Sequence, residues 1–233
     1  MGRPVTGIRQ LAPHTVLVTR LGAGAAVLAA LCYSSFLLSP LTGAGSTRRG
    51  FISELEAAGQ PWSWLYRLSD VVAGLAMLAT AASMWSLLAR LPRVRWACAL
   101  LTMAGLGSVV DGASSMRCEV TATASCAVAD TAGGLVGELS AVHTDSGLAG
   151  LIGIAVGAVL LGVLTEPCWP VFGRLSLGLG LCVAATALLD LALLLAGADI
   201  GSAERLRTLL SSGWLLLIGG WLPVGGPARP TEG

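Results

Sequence analysis

The chain has 233 residues, 55% of them hydrophobic and 12% charged, with a mean hydropathy of +0.79. A soluble domain of this length carries about twice that charged fraction, which argues against a water-soluble globule. The net charge of +1, with no basic stripe, argues against nucleic acid as a partner.

The apolar residues fall in blocks of about 18 or more, long enough to cross a ~30 Å hydrocarbon core. Residues 1–20 are polar and mixed, with Arg3, Arg9 and Arg20 and the breakers Pro4 and Pro13. Residues 21–38 form the first expected span. No small-x-small cleavage site follows them, so they read as a retained helix rather than a signal peptide. Gly22, Ala26 and Ala30 share one face of it, which lets a neighbouring helix come close. In the loop that follows, residues 49–58 read as a short amphipathic helix. Phe51, Ile52 and Leu55 lie on its apolar side, Glu54 and Glu56 on its solvated side, and Gly59 stops it. Ser53 and Glu54 need no function there. Trp62, Trp64 and Tyr66 have the look of an interfacial aromatic belt.

Further spans are expected at 68–88, 96–115, 147–164, 172–196 and 206–222. A basic hairpin at 90–95 joins the second to the third, and a polar stretch at 116–145 joins the third to the fourth. The second half of that stretch has helical spacing at Leu135, Leu139 and Val142. The expected fold is all-α: a six-helix membrane bundle at 21–222 between cytoplasmic tails at 1–20 and 223–233. All 14 basic residues are arginines. Eight of them (Arg3, Arg9, Arg20, Arg90, Arg93, Arg95, Arg174, Arg229) fall on the face that holds both termini. Six (Arg48, Arg49, Arg67, Arg117, Arg205, Arg207) fall on the other. The three in the 90–95 hairpin weigh most, and the positive-inside rule makes their face cytoplasmic in a multi-pass cell-membrane protein.

On that topology the other face carries an acidic polar layer. Cys118 and Cys126 share its loop, and an oxidising exterior would join them, at ~2–3 kcal/mol on the chain-entropy model. Two free thiols or metal ligands are the alternatives, though a spacing of eight suits no zinc knuckle. Asp70 opens the second span, Asp111 closes the third, and Asp145 falls at the same depth. Asp70 and Asp111 are expected at headgroup level, paired with Arg67, Arg117, Arg205 or Arg207. Asp190 lies in an otherwise apolar helix one turn beyond Thr186. A charge near the bilayer centre costs at least ~2.5–3.5 kcal/mol, so Asp190 is expected to face the interior and find a donor or a proton. His143, set beside Ser140 and Ser146 by helical spacing, suits a general base or a single metal ligand, whereas His14 sits in the tail.

These elements follow an order: Tyr33-Ser34-Ser35, then Phe51 to Ala57, Arg67-Leu68-Ser69-Asp70 and Asp111-Gly112. Met116-x-Cys118, Cys126, Leu139-Ser140-x-x-His143-Thr144 and Arg205-x-x-Thr208-Leu209-Leu210-x-Ser212-x-Trp214 complete it. In this the chain resembles the actinobacterial branch of the bacterial membrane family known as domain of unknown function 998. The resemblance implies a six-helix membrane protein and brings no activity. Relatives commonly place a proline and an aromatic before Met-x-Cys; Ser114-Ser115 here implies a looser turn.

Three functions are consistent with this pattern. The first is a non-catalytic envelope protein whose outer layer contacts membrane lipids or a partner. The second is an intramembrane enzyme acting on a lipid or isoprenoid-like substrate. There His143 is the base, Asp111 and Asp70 orient it or hold a metal, and Asp190 is a buried acid. The third is a small transporter, which would need to dimerise. The sequence names no cofactor or metal and leaves homo-oligomerisation open.

Overall fold

The computed structural model describes residues 13–43, 50–88, 91, 93–114, 116, 118, 126 and 135–225, without the side chains of 135–140. The expected positions Arg48, Arg49, Arg90 and Arg117, both chain ends and most of the 116–134 loop lie outside the described residues. Among the described residues there is no strand. The helices are α1 (Pro13–Tyr33), the short α2 (Ser39–Thr42), α3 (Ser63–Leu87), α4 (Val94–Ala113), α5 (Leu135–Thr165), α6 (Pro170–Leu195) and α7 (Gly201–Gly225). α1, α3, α4, α6 and the Ala141–Thr165 part of α5 are long and apolar enough to cross a membrane. The sixth expected span falls within α7, which is as long but carries Glu204, Arg205 and Arg207 in its first two turns. With its shell of outward leucines and valines, such as Leu31, Leu188 and Leu195, the bundle is that of a membrane-embedded helical protein.

Each long helix packs against the next in the chain, and α7 packs against α1, so the bundle closes into a ring. Lipid tails are as apolar as leucine, so helices in a bilayer gain little from hiding apolar surface and associate through close van der Waals packing. Small residues make this possible here. Gly22, Ala26 and Ala30 are buried against neighbouring helices, as their spacing predicts. A Cβ on Gly74 would stand 2.5 Å from the Gly105 carbonyl oxygen, so α3 and α4 touch backbone to backbone. One chain of buried polar groups is satisfied between helices. Trp214 Nε1 donates to Ser176 Oγ at 2.9 Å, and that hydroxyl donates to the Ala158 carbonyl at 2.8 Å, linking α7, α6 and α5.

Three expectations need correction. The first helix starts before residue 21 and ends at Tyr33, followed by a 3₁₀ turn at Ser35–Leu38. The fourth span starts earlier than residue 147: the helical spacing at 135–142 belongs to the first turns of α5, so His143 projects from a continuous helix. The amphipathic helix expected at 49–58 does not form over its described residues, 50–58. In its place is a 3₁₀ turn at Ile52–Glu56 that buries Glu54 and Glu56 to 1% and 3% exposure. A small apolar cluster of Phe36, Leu55 and Tyr66 pins this turn to the bundle. Trp62 and Trp64 are exposed as a belt requires, whereas Tyr66 is buried and shares a 2.6 Å hydrogen bond with Thr42.

Candidate functional site

The polar side chains collect at one end of the ring, where α3, α5 and α7 begin and α4 and α6 end. The approach of α3 to α4 builds the first half of this layer. A Cβ on Gly112 would lie 2.5 Å from the Arg67 carbonyl oxygen and 3.2 Å from Asp70 Cβ, so only glycine next to Asp111 lets Asp70 come alongside. Arg67 is spent locally. Its Nε donates to the Gly112 carbonyl at 3.2 Å and its Nη2 to the Ala113 carbonyl at 3.4 Å, closing the carbonyl end of α4. The expected Arg67 pairing with Asp70 or Asp111 is therefore not what forms.

Glu56 drops into this gap from the Ile52–Glu56 turn. The turn is held from two sides: the Ile52 N–H donates to Glu204 Oε2 at 2.7 Å, and the Ala58 N–H donates to the Met116 carbonyl at 3.2 Å. Ser53 Oγ also donates to Met116 Sδ at 3.7 Å, so the Ser-Glu-Leu and Met-x-Cys elements of the sequence meet in space. The Glu56 side chain hydrogen-bonds Asp70. Two carboxyls can do this only by sharing a proton, since an ionised carboxylate is acceptor-only. Burial, with the Asp70 charge adding to it, pushes the Glu56 carboxyl up to about 11 from its ordinary 4.5. Folding therefore holds a proton that the unfolded chain releases above about 4.5. This contribution to stability is whole below 4.5 and declines as pH rises toward 11. Glu56→Gln keeps a donor there without the charge. We expect a variant at least as stable as wild type at neutral pH, whose thermal midpoint falls less between pH 6 and pH 10; a steeper fall would contradict the shared proton.

One oxygen each from Glu56, Asp70 and Asp111 lies within 4.8 Å of the others. Asp111 in turn meets His143, with Nδ1 3.0 Å from Oδ1. Ser146 Oγ, one turn along α5, is 3.2 Å from the same oxygen and 2.9 Å from the His143 carbonyl. His143 is buried, and Asp111 engages its Nδ1, which leaves Nε2 as the nitrogen free to handle a proton.

The second half of the layer lies where α6 meets α7. Asp190 faces the interior, as its apolar setting requires, and Arg207 Nη1 stands 3.0 Å from its Oδ2. The contact is an ion pair without hydrogen-bond alignment: both Asp190 oxygens are buried with no hydrogen-bond partner among the described residues. Arg207 Nη2 reaches Glu204 Oε1 at 3.5 Å. Tyr33, at the end of α1, lies within electrostatic range of Arg207 and Glu204 on one side and of Asp70 and Asp111 on the other.

Asp70, Asp111 and His143 are thus brought together, and Asp190 stands apart with Arg207. Asp145 is exposed and joins neither half. Cys118 and Cys126 are joined in a disulfide, with Cα atoms 6.1 Å apart, which removes the metal-ligand alternative for them. Cys32, Cys98, Cys168 and Cys182 are free. Glu56 and Glu204 were not foreseen as members of the layer. A groove of about 390 Å³ on the α4–α5 face runs from Ala99 and Thr102 past Leu106 and Val110 to Ser146, whose hydroxyl contacts Asp111.

A family model described as "Protein of unknown function (DUF998)" matches residues 25–221. The chain belongs to this family. The match runs from α1 into α7, so every side chain of the polar layer in this DUF998 protein lies inside the family's own boundaries. No curated protein and no solved structure matches the chain.

Proposed function

We propose that this is a multi-pass cell-membrane protein whose outward-facing polar layer acts on a membrane lipid by acid–base chemistry, with His143 as base. The observation that carries the reading is the Asp111–His143 contact at 3.0 Å. A carboxylate on Nδ1 fixes the tautomer with its lone pair on Nε2 and stabilises the imidazolium that forms when Nε2 takes a proton from water or a substrate hydroxyl. Asp70 adds negative charge close by. Lipid is the substrate class because the α4–α5 groove is lined mainly by apolar side chains and ends at Ser146 beside that pair. A chain lying in it brings a headgroup to Asp111.

The arginine distribution supports six crossings with both termini cytoplasmic and the layer outside. With cysteines placed singly, Arg93→Cys is expected to react with a membrane-impermeant thiol reagent only from the cytoplasm, and Ala58→Cys only from outside. The reverse pattern would put the layer on the wrong side for this function.

The activity test incubates purified protein with a membrane-lipid extract and follows every lipid species by mass spectrometry. Wild type should convert at least one species, and His143→Gln should slow that conversion by ~10²–10⁴-fold, the usual span for a lost general base. No change in any lipid with wild type leaves the non-catalytic reading, a lipid-contacting envelope protein. That reading has its own support in the α6–α7 half of the layer, where Arg207 is an ion-pair partner of both Asp190 and Glu204, and Glu204 also takes the Ile52 N–H.

A further inference from the structure

We infer that Glu56, Asp70 and Asp111 form a binding site for one hard divalent cation of the calcium, manganese or magnesium class. The three carboxyls offer one oxygen each within 4.8 Å of one another. Ions bound at about 2.3–2.6 Å span ligand oxygens up to about 5 Å apart, so this set is spaced for a calcium-sized ion, which on binding displaces to solvent the proton that Glu56 and Asp70 share. An all-carboxylate set selects such ions over copper or the thiolate-preferring metals.

A second observation points inward. Glu56 is 3% exposed, and its Oε2 is buried with no hydrogen-bond partner among the described residues. A buried oxygen of that kind costs ~1–3 kcal/mol unless something fills it, and the turn that carries it is fastened at Ile52 and Ala58. Asp111 is arranged to serve the same ion. Oδ1 takes both His143 and Ser146, which leaves Oδ2 for a cation and fixes the carboxylate's orientation from behind. The neighbouring cation, Arg67, directs its Nε and Nη2 at the Gly112 and Ala113 carbonyls rather than at the cluster.

This site does not depend on lipid conversion, and its test reads the ion directly. Full-length protein in detergent, stripped with a chelator and dialysed, is titrated with Mn²⁺ while free Mn²⁺ is followed by electron paramagnetic resonance. One Mn²⁺ per chain is expected, displaced by Ca²⁺ and accompanied by a rise in the thermal midpoint. Glu56→Gln and Asp70→Asn should each weaken binding by ~10–100-fold, and Asp145→Asn, at an exposed carboxylate, should leave it unchanged. No bound Mn²⁺ in wild type at millimolar ion overturns the inference. So does an unchanged Mn²⁺ affinity in either cluster variant; whichever of the two purifies is enough to decide.

Discussion

Arg207→Leu is expected to destabilise the bundle by about 3–5 kcal/mol, the range for removing one partner of a buried ion pair. Asp190 is 9% exposed, and among the described residues Arg207 is the cation in contact with it. Leucine matches the span's apolar character, so packing loss is small and the cost falls mainly on the orphaned carboxylate. Glu204 loses one partner and keeps the Ile52 N–H. The diagnostic variant is the double one. Asp190→Asn in the Arg207→Leu background removes the stranded charge and should recover most of the lost stability, whereas two independent losses would add. Asp190→Asn alone should insert and fold, since it keeps the shape and removes a charge from an apolar helix. Thermal midpoints of the four proteins in one detergent decide it. A double variant less stable than Arg207→Leu would show that Asp190 does more than answer Arg207.

Gly112→Ala should be the second severe change, and its damage should be local. The added Cβ would meet backbone, the Arg67 carbonyl oxygen at 2.5 Å, so α3 and α4 must part at that level. Overpacking of this sort costs about 1–3 kcal/mol. Gly74→Ala makes the same clash deeper in the bundle, 2.5 Å from the Gly105 carbonyl oxygen, and Gly24→Ala meets nothing within 4 Å. The two clashing variants should lose similar stability and Gly24→Ala none. Only Gly112→Ala moves Asp70 away from Asp111, so it alone should also lose lipid conversion and Mn²⁺ binding. Equal functional loss in Gly74→Ala would mean that the site responds to general loosening.

Much of this was legible in the sequence. Block length and hydropathy locate each long helix, because a bilayer imposes one minimum length on every span, but α1 starts eight residues and α5 twelve residues before the expected spans. Asp190 had to face inward and find a donor for the same reason. Asp111 and His143 could be nominated but not joined, since nothing in one sequence says that α5 starts early enough to set His143 against the end of α4. Glu56 was misplaced for a definite reason. Its charge assigned it to the solvated side, although at i+4 from Ile52 it borders the apolar stripe of a 3.6-residue helix. The chain instead makes a 3₁₀ turn fastened by Glu204 and Met116, and those long-range contacts bury both glutamates. The pairing expected for Arg67 failed likewise, because the open carbonyls at the end of α4 claim its guanidinium first.

The Asp190–Arg207 contact also bears on how the protein is made. α6 is strongly apolar and carries the aspartate; α7 follows it and carries the arginine. An isolated α6 would meet lipid with an uncompensated acid in its penultimate turn, where the cost is below the ~2.5–3.5 kcal/mol of the bilayer centre, while an isolated α7 is too polar to be a strong insertion signal. Only residues 196–200 separate them, in a tight reversal with Gly197 at φ +66°. If α7 crosses as well, entry as a hairpin would let the two helices neutralise each other before either is committed. The more polar α7 would then be drawn in by its predecessor, and its docking closes the ring against α1. It also brings Glu204 to the Ile52 N–H, so the turn bearing Glu56 is fastened only after α7 is in place.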